Sequence, residues 1–78
     1  MQRKQSKEKE IGKVKLTEGQ TLVVRLVDDE RLDIRIWQES ERYTGPTKRG
    51  IRFYLFDGIW EKFFEIMQKV NEEFEVIS

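Results

Sequence analysis

The segment Arg31–Trp37 (RLDIRIW) alternates without a break, with Leu32, Ile34 and Ile36 on one side and Arg31, Asp33, Arg35 and Trp37 on the other. Successive side chains of a strand point to opposite faces, so this run predicts a strand in a sheet with one apolar face and one charged, aromatic face. The apolar row is then left to bury against another element. Neighbouring segments extend the pattern. Ile11–Leu16 (IGKVKL) alternates apolar and basic residues from Gly12 onward, and Thr21–Val27 (TLVVRLV) is β-branched and apolar, so both read as strands. Thr17-Glu18-Gly19-Gln20 reads as a turn whose glycine suits a positive φ, and Asp28-Asp29-Glu30 as a tight acidic turn. Gln38–Pro46 is a polar loop, and Arg49–Phe56 (RGIRFYLF) returns as a fourth strand with Ile51, Phe53 and Leu55 in phase.

Asp57 stands where a helix N-cap belongs, and the chain reads as a helix from Gly58 onward. Ile59, Trp60, Phe63, Phe64, Ile66, Met67, Val70 and Phe74 occupy an arc of roughly 160° at about 100° per residue. An arc of about 100° covers one sheet. The surplus edge, around Trp60, Phe64 and Met67, predicts a dimer interface. The expected fold is α+β: a four-stranded antiparallel sheet followed by one C-terminal helix, β-β-β-β-α, as a homodimer. Met1–Glu10 lacks apolar periodicity and reads as a disordered polar tail, leaving 11–78 as the single domain.

Size supports the second copy. A chain of 78 residues buries only about 60% of the surface its unfolded form exposes, so an additional source of stability is expected. With no cysteine there is neither a disulfide nor a cysteine-held metal, and oligomerisation is the option left. The N-terminal run lacks the apolar stretch of a secretion signal, and no apolar run reaches about 18 residues. The expectation is an intracellular protein without a membrane partner: cytoplasmic or nucleoid-associated if prokaryotic or viral, nuclear if eukaryotic.

Enzyme readings fail early. The sequence has no histidine, the commonest general base and activator of a nucleophile. No glycine-rich phosphate loop occurs, and Asp28-Asp29-Glu30 matches no metal loop, so neither catalysis nor any cofactor or metal is expected. Binding fares better. Charge totals zero but is polarised: residues 11–52 carry nine basic and seven acidic side chains, residues 53–78 two basic and six acidic. A phosphate responds to the local field, so this asymmetry keeps nucleic acid open as a partner. Single strands are held by cations along the phosphates and by aromatic faces on which bases stack, at about 1–3 kcal/mol per base. Arg35 and Trp37 supply both on one face, Lys13, Lys15 and Arg25 on neighbouring strands could join them, and Lys48, Arg49 and Arg52 would extend the stripe. Tyr43 and Tyr54 are further stacking candidates. The plainer alternative is that Arg31 and Arg35 form surface ion pairs with Asp33, worth under about 1 kcal/mol, while Trp37 caps the sheet edge or packs under a partner's helix. Duplex DNA is disfavoured, because the solvent face of the helix would show phosphates four glutamates against two lysines. An RNA-recognition-motif fold needs helices between its strands, and none is expected before residue 57.

Asp33-Ile34-Arg35 with the following aromatic, and then Pro46-Thr47-Lys48-Arg49-Gly50-Ile51, resemble the transcriptional positive cofactor 4 family. Ile11-Gly12-Lys13 and Trp60 early in the helix fit the same likeness, which spans about Ile11 to Val70. The resemblance implies a curved sheet, a dimer joined partly through helices, and a single-stranded DNA groove on each sheet, the pair suited to melted DNA. It further implies a transcriptional cofactor or coactivator, or a general single-strand binder of replication and repair, with little sequence specificity. Transcription or replication proteins would be its partners. The family's basic contacts fall on Lys13, Arg25, Arg35 and Arg49, with Lys48 beside them. The family's stacking tryptophan falls at Gln38, with Trp37 one position earlier, and its basic turn is here Val27-Asp28-Asp29-Glu30, which implies weaker binding. Two competing readings are a protein-interaction module of the transcription machinery and an RNA-binding relative of the Whirly and Pur-alpha folds.

Overall fold

The computed structural model describes residues 7–77, with side chains as far as residue 74. Four strands, β1 (Glu8–Thr17), β2 (Gln20–Val27), β3 (Arg31–Glu39) and β4 (Thr44–Tyr54), form one open antiparallel sheet in chain order, followed by helix α1 (Ile59–Ile77). The β-β-β-β-α order matches the alternation pattern. Element bounds differ from it in instructive places. β1 begins three residues earlier than expected, with Glu8, Lys9 and Glu10 paired to Val27, Leu26 and Arg25. Charge recruits this polar stretch to the sheet: Glu8 meets the Arg25 guanidinium, and the Lys7 ammonium lies 3.4 Å from Asp29. The tail expected to run through Glu10 therefore ends sooner, and its first six residues lie outside the described ones. Likewise Gln38 and Glu39 pair with Gly45 and Thr44, which shrinks the expected polar loop to residues 40–43, closed by Ser40 N–H donating to the Tyr43 carbonyl at 2.8 Å.

Two local expectations are corrected. The turn with left-handed backbone is the acidic one, where Asp28 and Asp29 have φ of 55° and 57° and Glu30 N–H donates to the Val27 carbonyl at 3.1 Å. Aspartate tolerates that region better than most side chains, and two such residues match the twist of a hairpin. Gly19 does not adopt positive φ; a Cβ there would come within 3.1 Å of the Glu39 carbonyl oxygen, so close approach of β3 is what favours glycine. At the helix start Asp57 is not the N-cap. Its φ is 57°, and the first helical hydrogen bond runs from Lys62 N–H to the Gly58 carbonyl at 3.0 Å, so Gly58 holds that position.

The register sorts the faces cleanly. Val24 pairs with Ile34, Ile34 with Ile51 and Leu32 with Phe53, making the apolar face; Arg25 pairs with Asp33, Asp33 with Arg52 and Thr21 with Trp37, making the charged one. Pairing of β3 with β4 is broken once, where Thr47, Lys48 and Arg49 all lie opposite Ile36. Thr47 staples this bulge, its hydroxyl donating to the Ile36 carbonyl at 2.7 Å and accepting from Arg49 N–H at 3.1 Å. Gly50 closes it, because a Cβ there would stand 2.4 Å from the Ile34 carbonyl oxygen and 2.8 Å from the Arg35 Cα.

The helix was expected to cover the apolar row, and it covers only a corner. Phe63 packs on Phe53 with ring centroids 5.3 Å apart. A trough of about 430 Å³ between Ile11, Val24, Leu26, Ile34, Trp60 and Phe63 stays open. Val23, Val27 and Leu32 are the buried apolar residues among those described, too small a core for a chain of this length.

Candidate nucleic-acid interface

Trp37 lies on the charged face. β2 and β3 pair without interruption from Gln20–Gln38 to Val27–Arg31, so strand alternation alone sets the indole beside Arg35 and across from Thr21. The bulge belongs to β4 and leaves the phase of β3 unchanged, so Gln38 turns to the opposite side. The Arg25 guanidinium carbon stands 5.9 Å from the centre of the half-buried indole, within cation–π range.

The expected cations fall into two groups. Arg25, Arg35 and Arg52 are engaged: Arg25 with Glu8, Arg35 with Asp33 at 3.0 Å and with the Thr47 carbonyl at 3.0 Å, and Arg52 with Asp33 at 3.3 Å. The ion-pair alternative therefore holds in part, with one correction. Arg31 pairs with Asp28 at 2.7 Å rather than with Asp33, and lies over the Tyr54 ring at 5.6 Å. Asp33 is only 1% exposed, so two guanidinium groups share one buried carboxylate and the cluster keeps a net positive charge. Each guanidinium carries five N–H donors, more than these bonds consume. The second group is exposed. Lys13 and Lys15 sit on the charged face opposite Val23 and Thr21, and Lys48 and Arg49 project from the bulge. Among the described residues none of these four has a carboxylate within ion-pair distance.

The tyrosines do not join Trp37. The Tyr43 hydroxyl donates to the Pro46 carbonyl and its ring lies against Gly45, which ties it to the β3–β4 loop. Tyr54 stacks on Phe56 at the far end of the face, paired with Arg31. The expected interface residues Trp60, Phe64 and Met67 are 38%, 48% and 41% exposed, and the Trp60 and Phe64 rings stack at 5.7 Å. Sequence reasoning missed Glu8 and Thr47, which hold Arg25 and Arg35. Each lies in a stretch without apolar periodicity, and only cross-strand register brings it to its partner.

Among the described residues no group of three or more acidic side chains gathers at a potential metal site, and no helix is long and apolar enough to cross a membrane. Comparison with family models, curated proteins and solved structures finds no match to this chain.

Proposed function

We propose that this chain is a single-stranded DNA-binding protein, acting as a homodimer and without chemistry of its own, of the kind that serves transcription, replication or repair. The observation that carries the reading is the Trp37 indole on a charged sheet face, beside Arg25 and near the unpaired Lys13 and Lys15. A single strand offers unstacked bases to such a ring and phosphates to such cations, whereas a duplex hides its base faces. Strand phosphates along the face would run past Arg52 and Arg35 toward Arg49 and Lys48. The dimer is supported by the open trough and by the exposed row Trp60, Phe64 and Met67 on the other side of the sheet, away from the DNA face.

Fluorescence anisotropy of labelled oligomers tests this across a salt series. Single strands bind more tightly than duplex of equal length, affinity falls as salt rises, and Trp37→Ala weakens binding by about 10- to 100-fold, the loss of one stacked base. Duplex binding equal to single-strand binding, or a Trp37→Ala protein with parental affinity, would defeat the proposal.

A further inference from the structure

The end of the charged face around Trp37 is concave, a depression of about 470 Å³ whose walls include Glu10, Lys13, Lys15, Thr21, Trp37 and Glu39. Ligand sites occupy about 300–1,000 Å³, so there is room for one nucleobase against the indole. The charges around it are two carboxylates and two ammonium groups. Among the described residues none of the four is within ion-pair distance of an opposite charge. Glu8 takes Arg25, which leaves Glu10 across from that arginine but uncommitted. The rim's charges balance, so it attracts a phosphate less than its two lysines alone would. A base edge that alternates donors and acceptors matches it better.

A carboxylate only accepts hydrogen bonds and an ammonium only donates them. Cytosine presents an exocyclic amino donor next to two acceptors, and guanine presents a carbonyl next to two N–H donors; each edge matches a carboxylate beside an ammonium. Thymine presents one N–H between two carbonyls, so a carboxylate approaching that N–H meets two oxygens as well. We infer that the depression is a base subsite that selects an amino-bearing base, cytosine, guanine or adenine, over thymine, with Glu39 or Glu10 accepting from the amino edge and Lys13 or Lys15 donating to the carbonyl or ring nitrogen. This rests on the single-strand reading and deepens it: the strand is held with little regard to sequence elsewhere, and one nucleotide in each protomer's site is read.

The test compares labelled dC12 with dT12, equal in length and charge, on the full chain at pH 7.5 and fixed salt. The subsite predicts dC12 binding about fivefold or more tighter, the low end of a base-edge contact. Glu39→Gln and Glu10→Gln keep the side-chain shape while removing the charge. At least one of them shrinks the ratio below about twofold, by weakening dC12 rather than dT12, with sedimentation unchanged as the check on folding. Equal or tighter binding of dT12, or a ratio unmoved in both variants, overturns the subsite while leaving the single-strand function standing. Failure of both oligomers to bind overturns the function and the subsite together.

Discussion

The two faces of the sheet invert the usual order of burial. On the charged face Val23, Val27 and Asp33 are 4%, 2% and 1% exposed, while on or beside the apolar face Ile11, Val14 and Ile51 are 57%, 57% and 51% exposed. Long side chains explain the first. Arg25, Arg31, Arg35 and Arg52 lie in ion pairs along their own face, and their aliphatic stems can shield the valines while the charged heads stay in reach of water. Short branched apolar side chains cannot cover one another in this way, and a single helix touching at Phe53–Phe63 leaves most of them partly or largely exposed. One face is finished within the protomer. The other is left open, and the proposed second copy would cover it.

The strongest way to break this comparison is a charge on the unfinished face. Ile34→Glu places a carboxylate in the trough that the partner is proposed to fill, and burial of an unpaired charge is costly. The dimer dissociation constant is expected to rise by about 1,000-fold or more, about 4 kcal/mol, in sedimentation equilibrium. A parental protein that sediments as a monomer at micromolar concentration, or an Ile34→Glu dimer as tight as the parent, would show that the apolar face is not an interface.

A smaller effect is expected within the finished face. Asp33→Ala strips Arg35 and Arg52 of their shared carboxylate. Breaking a buried pair costs about 3–5 kcal/mol. The two arginine side chains retain 21% and 42% exposure, so water recovers part of that loss and about 2 kcal/mol is expected in urea unfolding. A loss below about 0.5 kcal/mol would mean that the ion pairs are surface ornaments of the kind that contribute little.

Smallest of all is Lys48→Ala, which leaves both dimer and stability as they were. It should weaken single-strand binding only a few-fold and lower the slope of log affinity against log salt by about 0.7, one released counterion. An unchanged slope would remove this lysine from the phosphate path.

Much of the fold was legible in the sequence because a period of two needs no tertiary information. RLDIRIW assigns Leu32, Ile34 and Ile36 to one face and Arg35 and Trp37 to the other, and the register bears that out. Segments bound to the sheet by charge were not legible in this way. Glu8–Glu10 carry no apolar rhythm and enter β1 through Arg25 and Asp29 on a different strand and turn. The candidate site divides likewise. The side of Trp37 followed from alternation, but which cations are engaged depended on the carboxylates that register delivers, and Arg31 found Asp28 rather than Asp33.

By itself, then, the sequence determined the order β-β-β-β-α, the split between an apolar and a charged face, and the presence of an indole among arginines, because each is set by neighbours a few residues apart. Tertiary structure alone decided that Asp33 would be buried between two guanidinium groups, that Glu10, Glu39, Lys13 and Lys15 would line one depression with that indole, and that the helix would leave the apolar face open. Those outcomes depend on cross-strand register and on the direction in which the chain leaves β4, which local periodicity does not encode.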